Sequence, residues 1–384
     1  MKIVRLSDST DAVRILKQIG STREGNEIMK AKMRLHFLYL RDIRTPAANI
    51  LKQDALSIGA ELAVERDTIL CKDEHIDALL IATTKQLRIL AKKELAQPFG
   101  LKALAKEITG ILRHLPPKHQ DVTLMGVLNA NEDSFYSGSR FVGEAAIRRI
   151  ETMIEEGAGI IDIGAVSSRP GSKPVPEEEE LKRVRPIVDA IYEEKLYEKV
   201  RFSLDSYAPL PIQYALDRGF GMINDITALS NESVAKLASR FRVPVVLMHM
   251  QGTPQTMQQN PRYEDLFGEV EAFFKERIKR AEDFGIEELI LDPGIGFGKT
   301  LEHNLKLLHH LGHFAKLGYP LLVGASRKSM IDAIVPTPTE ERLPGTLAIH
   351  LAAIEEGASI IRCHDVREHR QAIKVNQAIK GALI

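Results

Sequence analysis

Tryptophan is absent from these 384 residues, and aromatic side chains make up only 5%. A core of this chain must therefore be built mainly from aliphatic side chains. Cysteine is almost as scarce: Cys71 and Cys363 are the two. Two thiols so far apart make no disulfide framework, so a reducing compartment, the cytoplasm, is expected. Net charge is missing as well, with Lys plus Arg and Asp plus Glu at 52 each. That balance excludes the strongly basic footprint of a nucleic-acid binder and leaves room for local anion sites. No apolar run approaches the ~20 residues that span a bilayer, so no membrane partner is expected. The opening residues, MKIVRLSDST, carry no apolar signal segment.

What is present is ordinary for a globular protein: 44% hydrophobic and 27% charged residues. Pro116-Pro117 breaks the pattern after a helical stretch from Leu101 to Arg113. Proline cannot continue a helix and pushes its predecessor toward extended backbone. A domain boundary is placed there, giving residues 1–117 and 118–384. The first part mixes strand-like runs, Arg34–Leu40 and His75–Ala82, with helices, and reads as a small α/β domain. Thr45-Pro46 suits a helix start, and Thr83 or Thr84 suits the cap of the helix around Lys85–Ala96. It carries no catalytic motif, which leaves a structural appendage, a partner-binding module or a regulatory ligand site.

From Val122 onward the rhythm changes. Eight short apolar runs recur: Val122–Asn129, Gly159–Gly164, Val200–Asp205, Gly221–Asp225, Val243–His249, Glu288–Asp292, Tyr319–Ser326 and Ser359–Asp365. Helical stretches such as Val142–Glu156, Glu177–Glu194, Glu264–Phe284, Glu302–Leu311 and Thr346–Glu356 lie between them. Near-continuous apolar strands separated by helices imply a parallel sheet covered on its faces. Eight such units in residues 118–384 match the size of a closed (β/α)8 TIM barrel. An open doubly wound sheet is the rival, weakened because no Gly-x-Gly-x-x-Gly turn follows the first strand.

The chemistry of such a barrel gathers at the C-terminal strand ends. Here those ends are Asn129, Gly164, Asp205, Asn224-Asp225, His249, Asp292, Ser326-Arg327-Lys328, and Arg362 with His364, repeatedly polar or charged. Asp205, Asn224 and Asp292 offer acceptors and an amide to a ligand edge rich in N–H groups, and Lys328 offers a donor. Each alone also fits a buried structural hydrogen bond or a helix cap. Arg169, Arg362 and His364 suit phosphate oxygens, though a lone loop arginine such as Arg169 is usually just solvated. Asn129 is an oxygen ligand of the kind Mg2+ accepts beside waters and phosphates. Gly298-Lys299-Thr300 faintly echoes a phosphate-binding loop, with the wrong glycine spacing. The run Glu177–Glu180 suits a helix N-terminus. Met248 and His249 could wall a flat ligand or simply close a strand.

Taken together, the motifs resemble those of the dihydropteroate synthases. The matching stretches are Met125–Asn129 with Asp133-Ser134-Phe135, Ile163–Gly171, Leu204-Asp205-Ser206, Ile223-Asn224-Asp225, Met248-His249-Met250 with Gly252-Thr253-Pro254, Leu291–Lys299, Ser326–Ser329 and Arg362–Val366. The resemblance runs from Val122 to about Ala378. It implies condensation of 6-hydroxymethyl-7,8-dihydropterin pyrophosphate with p-aminobenzoate, giving dihydropteroate and pyrophosphate in folate biosynthesis. It also implies Mg2+ as cofactor and a sulfonamide target.

By the same resemblance, Asp205, Asn224, Asp292 and Lys328 bind the pterin. Ser168, Arg169, Arg362 and His364, with Asn129 and Mg2+, hold the pyrophosphate, and Phe135, Pro170, Phe297, Lys328 and Ser329 form the p-aminobenzoate pocket. Arg169, Arg362, His364 and Lys328 are the expected catalytic residues. The chain departs from the family at Ala130-Asn131-Glu132, Ser137, Val166 and Ser168, all in two loops of the second-substrate site. Two other readings stand beside this one. One is a methyltetrahydrofolate-dependent methyltransferase with a cobalamin partner, and the other is a non-catalytic pterin-binding protein. A homodimer is expected by analogy with other TIM-barrel enzymes.

Overall fold

A computed structural model describes residues 3–8, 10–116, 121–130, 139–166 and 175–382. The chain divides into two compact units, Met1–Lys118 with Ala378–Ile384, and His119–Gln377.

The first unit holds α1 (Ala12–Ile19), α2 (Arg23–Lys30), β1 (Leu35–Arg44), α3 (Thr45–Leu56), β2 (Glu61–Ala63), β3 (His75–Thr83), α4 (Thr84–Glu94) and α5 (Leu101–Arg113). Its three strands pair antiparallel in the order β1-β3-β2. Alternation decides which face is covered. Ala78, Leu80 and Ala82 of β3 join Leu51, Leu87, Leu90 and Ile108 from the helices in one core. Thr83 caps α4 in a capping box: its hydroxyl accepts from Gln86 N, and its own N–H donates to Gln86 Oε1 at 2.8 Å. The expected cap at Thr45 is different. Thr45 is the first residue of α3, and its hydroxyl donates to the Asp73 carbonyl instead of capping the helix. Pro46, preset for the first turn, starts that helix.

The second unit is a (β/α)8 TIM barrel. Its strands are β4 (Thr123–Asn129), β5 (Ile160–Gly164), β6 (Arg201–Asp205), β7 (Met222–Asp225), β8 (Val245–Met248), β9 (Leu289–Asp292), β10 (Leu321–Val323) and β11 (Ala358–Cys363). All eight pair parallel and close in the order β10-β11-β4-β5-β6-β7-β8-β9. The intervening helices are α6 (Ser139–Glu156), α7 (Glu177–Glu193), α8 (Pro209–Leu216), α9 (Glu232–Phe241), α10 (Leu266–Asp283), α11 (Leu301–His309), α12 (Ser329–Ile334), α13 (Leu343–Glu355) and α14 (Val366–Gly381). Every expected apolar run holds a strand; seven are shortened, and β11 starts one residue early, at Ala358, and ends two residues early. The trimming has a local cause at Pro244 and Pro320, which lack the N–H a ladder needs.

The barrel interior is filled by one layer of aliphatic side chains: Met125, Ile160, Met222, Val246, Ile290, Leu322 and Ile360. A larger core, with Phe202, Phe274 and Phe314 fully buried, lies between strands and helices. Strand side chains alternate faces, so the residues two places beyond the aliphatic layer also point inward. On five strands those residues are Asp162, Asn224, Met248, Asp292 and Arg362. The floor of the site is thus set by strand periodicity before any loop is considered.

Candidate active site

Arg362 is the hub. Its Nε donates to Asp162 Oδ2 at 2.7 Å, and its Nη2 donates to Asp205 Oδ2 at 2.7 Å. Asn224 Nδ2 donates to the same Asp162 oxygen at 3.0 Å. Asp162 is fully buried, and its other oxygen has no hydrogen-bond partner among the described residues. Burial pushes the Asp205 carboxyl up, the adjacent guanidinium opposing that rise. The same carboxylates hold the Arg362 proton more tightly than usual, against the cost of its burial. The register places Asn129 beside Gly164, and Gly164 beside Asp205. A Cβ added at Gly164 would lie 3.6 Å from Asp205 Oδ2 and 3.9 Å from Asn129 Oδ1. The missing side chain keeps these two oxygen-bearing groups in reach of one ligand.

The other half of the site is the loop after β9. Asp292 Oδ1 accepts from Gly294 N at 2.7 Å, which folds the loop back on its strand. Gly294 and Gly298 both have positive φ, and a Cβ at either would collide with the backbone of His249 or Gln251. Glycine is required there because the loop presses on the segment after β8. Lys299 is buried beneath it and donates to His249 Nδ1 at 2.9 Å, His249 O at 3.2 Å and Phe297 O at 2.9 Å. Burial lowers Lys299 to about 7 and His249 to about 3. Lys299 therefore braces a loop and cradles no phosphate. His249 packs T-shaped against Phe273, 4.9 Å between centroids.

Lys328 reaches across from the segment after β10. Its Nζ donates to the Ile295 carbonyl and lies 4.5 Å from the centre of the Phe297 ring. Burial lowers Lys328 to about 8, with the Asp292 carboxylate resisting. Burial also raises Asp292, with Lys328 opposing. Ser329 follows as the exposed first residue of α12. His364 Nδ1 pairs with Ser326 Oγ at 2.9 Å.

Asn129, Asp205, Asn224, Asp292, Phe297, Lys328, Ser329, Arg362 and His364 thus all stand at the C-terminal end of the barrel. Phe135, Ser168, Arg169 and Pro170, and the departures at Asn131, Glu132 and Ser137, lie outside the described residues. Arg362 was expected beside phosphate, and here it locks two carboxylates together. Asp162 escaped the sequence reading, which looked only at strand ends. Its signal was a lone carboxylate in the apolar run Ile160–Gly164, two residues from the end and therefore on the same face as Gly164. Glu180 was expected, with its neighbours, to suit a helix N-terminus, and all four do lie in the first turn of α7. Glu180 is buried, and its Oε1 has no hydrogen-bond partner among the described residues, whereas Glu179 pairs with Arg183 at the surface.

Comparison with known proteins agrees with this geometry. The pterin binding enzyme family matches residues 125–364. The bifunctional dihydropteroate synthase/dihydropteroate reductase of Helicobacter pylori is 40% identical over 365 residues, spanning 95% of this chain and 96% of its own. The dihydropteroate synthase of Escherichia coli is 45% identical over 262 residues, 67% of this chain and 92% of that one. The solved structure of Yersinia pestis dihydropteroate synthase with a sulfonamide drug superposes with a TM-score of 0.64 at 40% identity, covering 68% of this chain and 95% of that one. The chain belongs to the dihydropteroate synthases of the pterin binding enzyme family.

Proposed function

We propose that the barrel mouth of this chain joins 6-hydroxymethyl-7,8-dihydropterin pyrophosphate to p-aminobenzoate. The observation that carries this reading is the ion-pair group Asp162–Arg362–Asp205, with Asp162 fully buried, flanked by Asn224, Asp292 and Lys328 on one rim. An aminopyrimidinone edge is rich in N–H donors, and buried carboxylates are its complement. Asp205, Asn224 and Asp292 take that edge, and Lys328 donates to the pterin carbonyl or a ring nitrogen. Arg362 holds the two carboxylates in register, and its charge opposes the rise that burial imposes on Asp205. Its unbonded side, with His364, Ser168 and Arg169, meets pyrophosphate.

In the reaction the pterin CH2–O bond breaks, and pyrophosphate leaves with the electron pair. The amine nitrogen of p-aminobenzoate forms the new bond to that carbon and then loses a proton. Cationic donors aimed at the leaving group lower the barrier because charge develops there. Phe297, Lys328 and Ser329, with Phe135 and Pro170, hold p-aminobenzoate. Sulfonamides would compete for that pocket. No protein nucleophile is needed.

Mg2+ fits this donor set in one way. Among the described residues no group of three His, Cys, Asp or Glu side chains could hold a metal. Asn129 offers one oxygen near Asp205, so phosphate oxygens and water would complete the shell. Bound there, the ion would neutralise charge on the leaving pyrophosphate.

The test is product formation: purified chain, pterin pyrophosphate and Mg2+, with and without p-aminobenzoate. Dihydropteroate released with pyrophosphate supports the reading. Pterin binding without product would replace it with a non-catalytic pterin-binding role. Among the described residues no helix is long and apolar enough to cross a membrane. Cys71 and Cys363 are both free, which favours a cytoplasmic setting.

A second activity has one observation in its favour. The Helicobacter pylori relative named for dihydropteroate reduction aligns with 95% of this chain. Reduction of dihydropteroate by this chain would need a reduced nicotinamide or flavin as hydride source. Conversion of added dihydropteroate to its tetrahydro form, assayed with each reductant, decides it.

A further inference from the structure

Behind the rim, two histidines are buried against each other. His350 lies on α13 and His369 on α14, each only 1% exposed. His350 Nδ1 and His369 Nε2 are 2.7 Å apart. Neither imidazole touches the site directly, and the catalytic chemistry does not use them.

The partners at the two ends fix the tautomers. Ala325 N–H can only donate, and it meets His350 Nε2 at 3.0 Å. His350 Nε2 must then be the lone-pair nitrogen, with the proton on Nδ1. That proton goes to His369 Nε2, so His369 also carries its proton on Nδ1. His369 Nδ1 meets the Asp365 carbonyl at 2.6 Å, and a carbonyl can only accept. The result is one directed chain, Ala325 to His350 to His369 to Asp365, with both rings neutral. Burial lowers the pKa of both rings, which agrees with that state. The charged and titratable groups around them are Lys328 and His364 on the site side, Asp365 just before α14 and Glu368 on it.

The two ends of this chain belong to the two segments that bear the site. Ala325 precedes Ser326-Arg327-Lys328, and Asp365 follows Arg362-Cys363-His364. Two further links join the same segments. Arg327 forks onto the Asp365 carboxylate at 2.6 and 3.1 Å, and Ser326 Oγ meets His364 Nδ1. Arg327 sits at φ 56, a backbone state that its residue type rarely adopts unless held. Its N–H is held by the Thr346 hydroxyl at 2.9 Å, one turn of α13 before His350.

We propose that His350 and His369 are positioning residues. They set the spacing between the Lys328 segment and the Arg362–His364 segment, and so between the pterin and pyrophosphate contacts. This rests on the synthase reading above. It adds a pair of helix residues that act on the site only through other groups.

The experiment is steady-state kinetics on the full chain for wild type, His350→Leu, His350→Gln and His369→Gln. His350→Leu keeps the volume roughly and removes both hydrogen bonds. It should lower kcat/KM for the pterin substrate about 10- to 100-fold, the scale of a misplaced site. His350→Gln can accept from Ala325 with its oxygen and donate with its amide, and should return to within about threefold of wild type. An active wild type with His350→Leu within twofold of it overturns the proposal, whatever the change in melting temperature. Equal losses in His350→Leu and His350→Gln also overturn it, because packing alone would then explain them. If His350→Leu does not fold, His369→Leu replaces it: the same loss of about 10- to 100-fold is expected, with His369→Gln restoring activity, and His369→Leu within twofold of wild type overturns the proposal. NMR of isotope-labelled histidine in the wild type reads the tautomers directly. Protonated Nδ1 on both rings is expected, and protonated Nε2 on either refutes the chain. A wild type that makes no dihydropteroate strikes instead at the synthase reading.

Discussion

Arg362 and Asp162 are 200 residues apart in the chain and 2.7 Å apart in the barrel. Asp162 is fully buried, and the Arg362 side chain keeps only 24% of its surface. Removing one partner of such a pair strands a charge in low dielectric, which is far worse than replacing both. Asp162→Ala should therefore cost about 3 kcal/mol of stability, read by denaturant unfolding. Asp162→Asn should fold better yet lose pterin turnover, because Arg362 would pull toward Asp205 alone. Normal turnover in Asp162→Asn would remove Asp162 from the site.

Two neighbours on β7 make a sharper contrast. Asn224 points inward and reaches Asp162, whereas Asp225 accepts from Thr227 N, Thr227 Oγ1 and Leu229 N at 2.7, 2.7 and 2.8 Å. Those bonds hold a turn in which Ala228 and Leu229 both have positive φ. Asp225→Ala should lower stability by about 2–3 kcal/mol and leave pterin affinity of the folded fraction unchanged. Asn224→Ala should do the reverse. Calorimetric pterin titration beside thermal melts separates them.

The pH dependence of Lys328 sets activity against stability. Its folded value of about 8 lies below the ordinary 10.5. From pH 8 upward the folded protein releases a proton that the unfolded chain keeps until about 10.5, so this group makes stability rise across that window. Charged donation to the pterin is lost over the same range, so kcat/KM should fall as pH passes about 8. Lys328→Arg keeps its charge and should flatten both trends. A kcat/KM for Lys328→Arg that falls as steeply as wild type assigns the alkaline limb to another group.

The first unit has its own titration. Glu94 is fully buried, and burial with the nearby Asp54 raises it to about 7 from an ordinary 4.5. Here the folded state holds the proton that the unfolded chain has lost. Stability from this group is complete below pH 4.5 and disappears as pH rises through 7. Glu94→Gln should raise the melting temperature at pH 8 much more than at pH 4.5. Equal shifts at the two values would mean that Glu94 is ionised throughout.

Much of this protein was readable in one dimension. Each apolar run between helical stretches became a strand, because a parallel sheet covered on both faces needs uninterrupted apolar segments. Asp205, Asn224, Asp292 and Lys328 could be picked out because strand ends share one rim. Lys299 could not be placed, since nothing in Gly298-Lys299-Thr300 says that its ammonium turns inward to brace His249. Thr45 looked like a cap and serves Asp73 instead, a partner supplied by a segment 28 residues away.

Local pattern therefore specifies the elements, their order and which residue of each strand faces inward, because alternation and helical period are properties of short stretches. Pairing is different. That Arg362 meets Asp162 and Asp205, that His350 meets His369, and that Glu180 is buried while Glu179 is not depend on neighbours from other segments. Only the tertiary fold brings Arg362 to Asp162, and His350 to His369, within 3 Å. Burial there removes the water that would otherwise have satisfied each one alone, so each must find its partner in the folded chain.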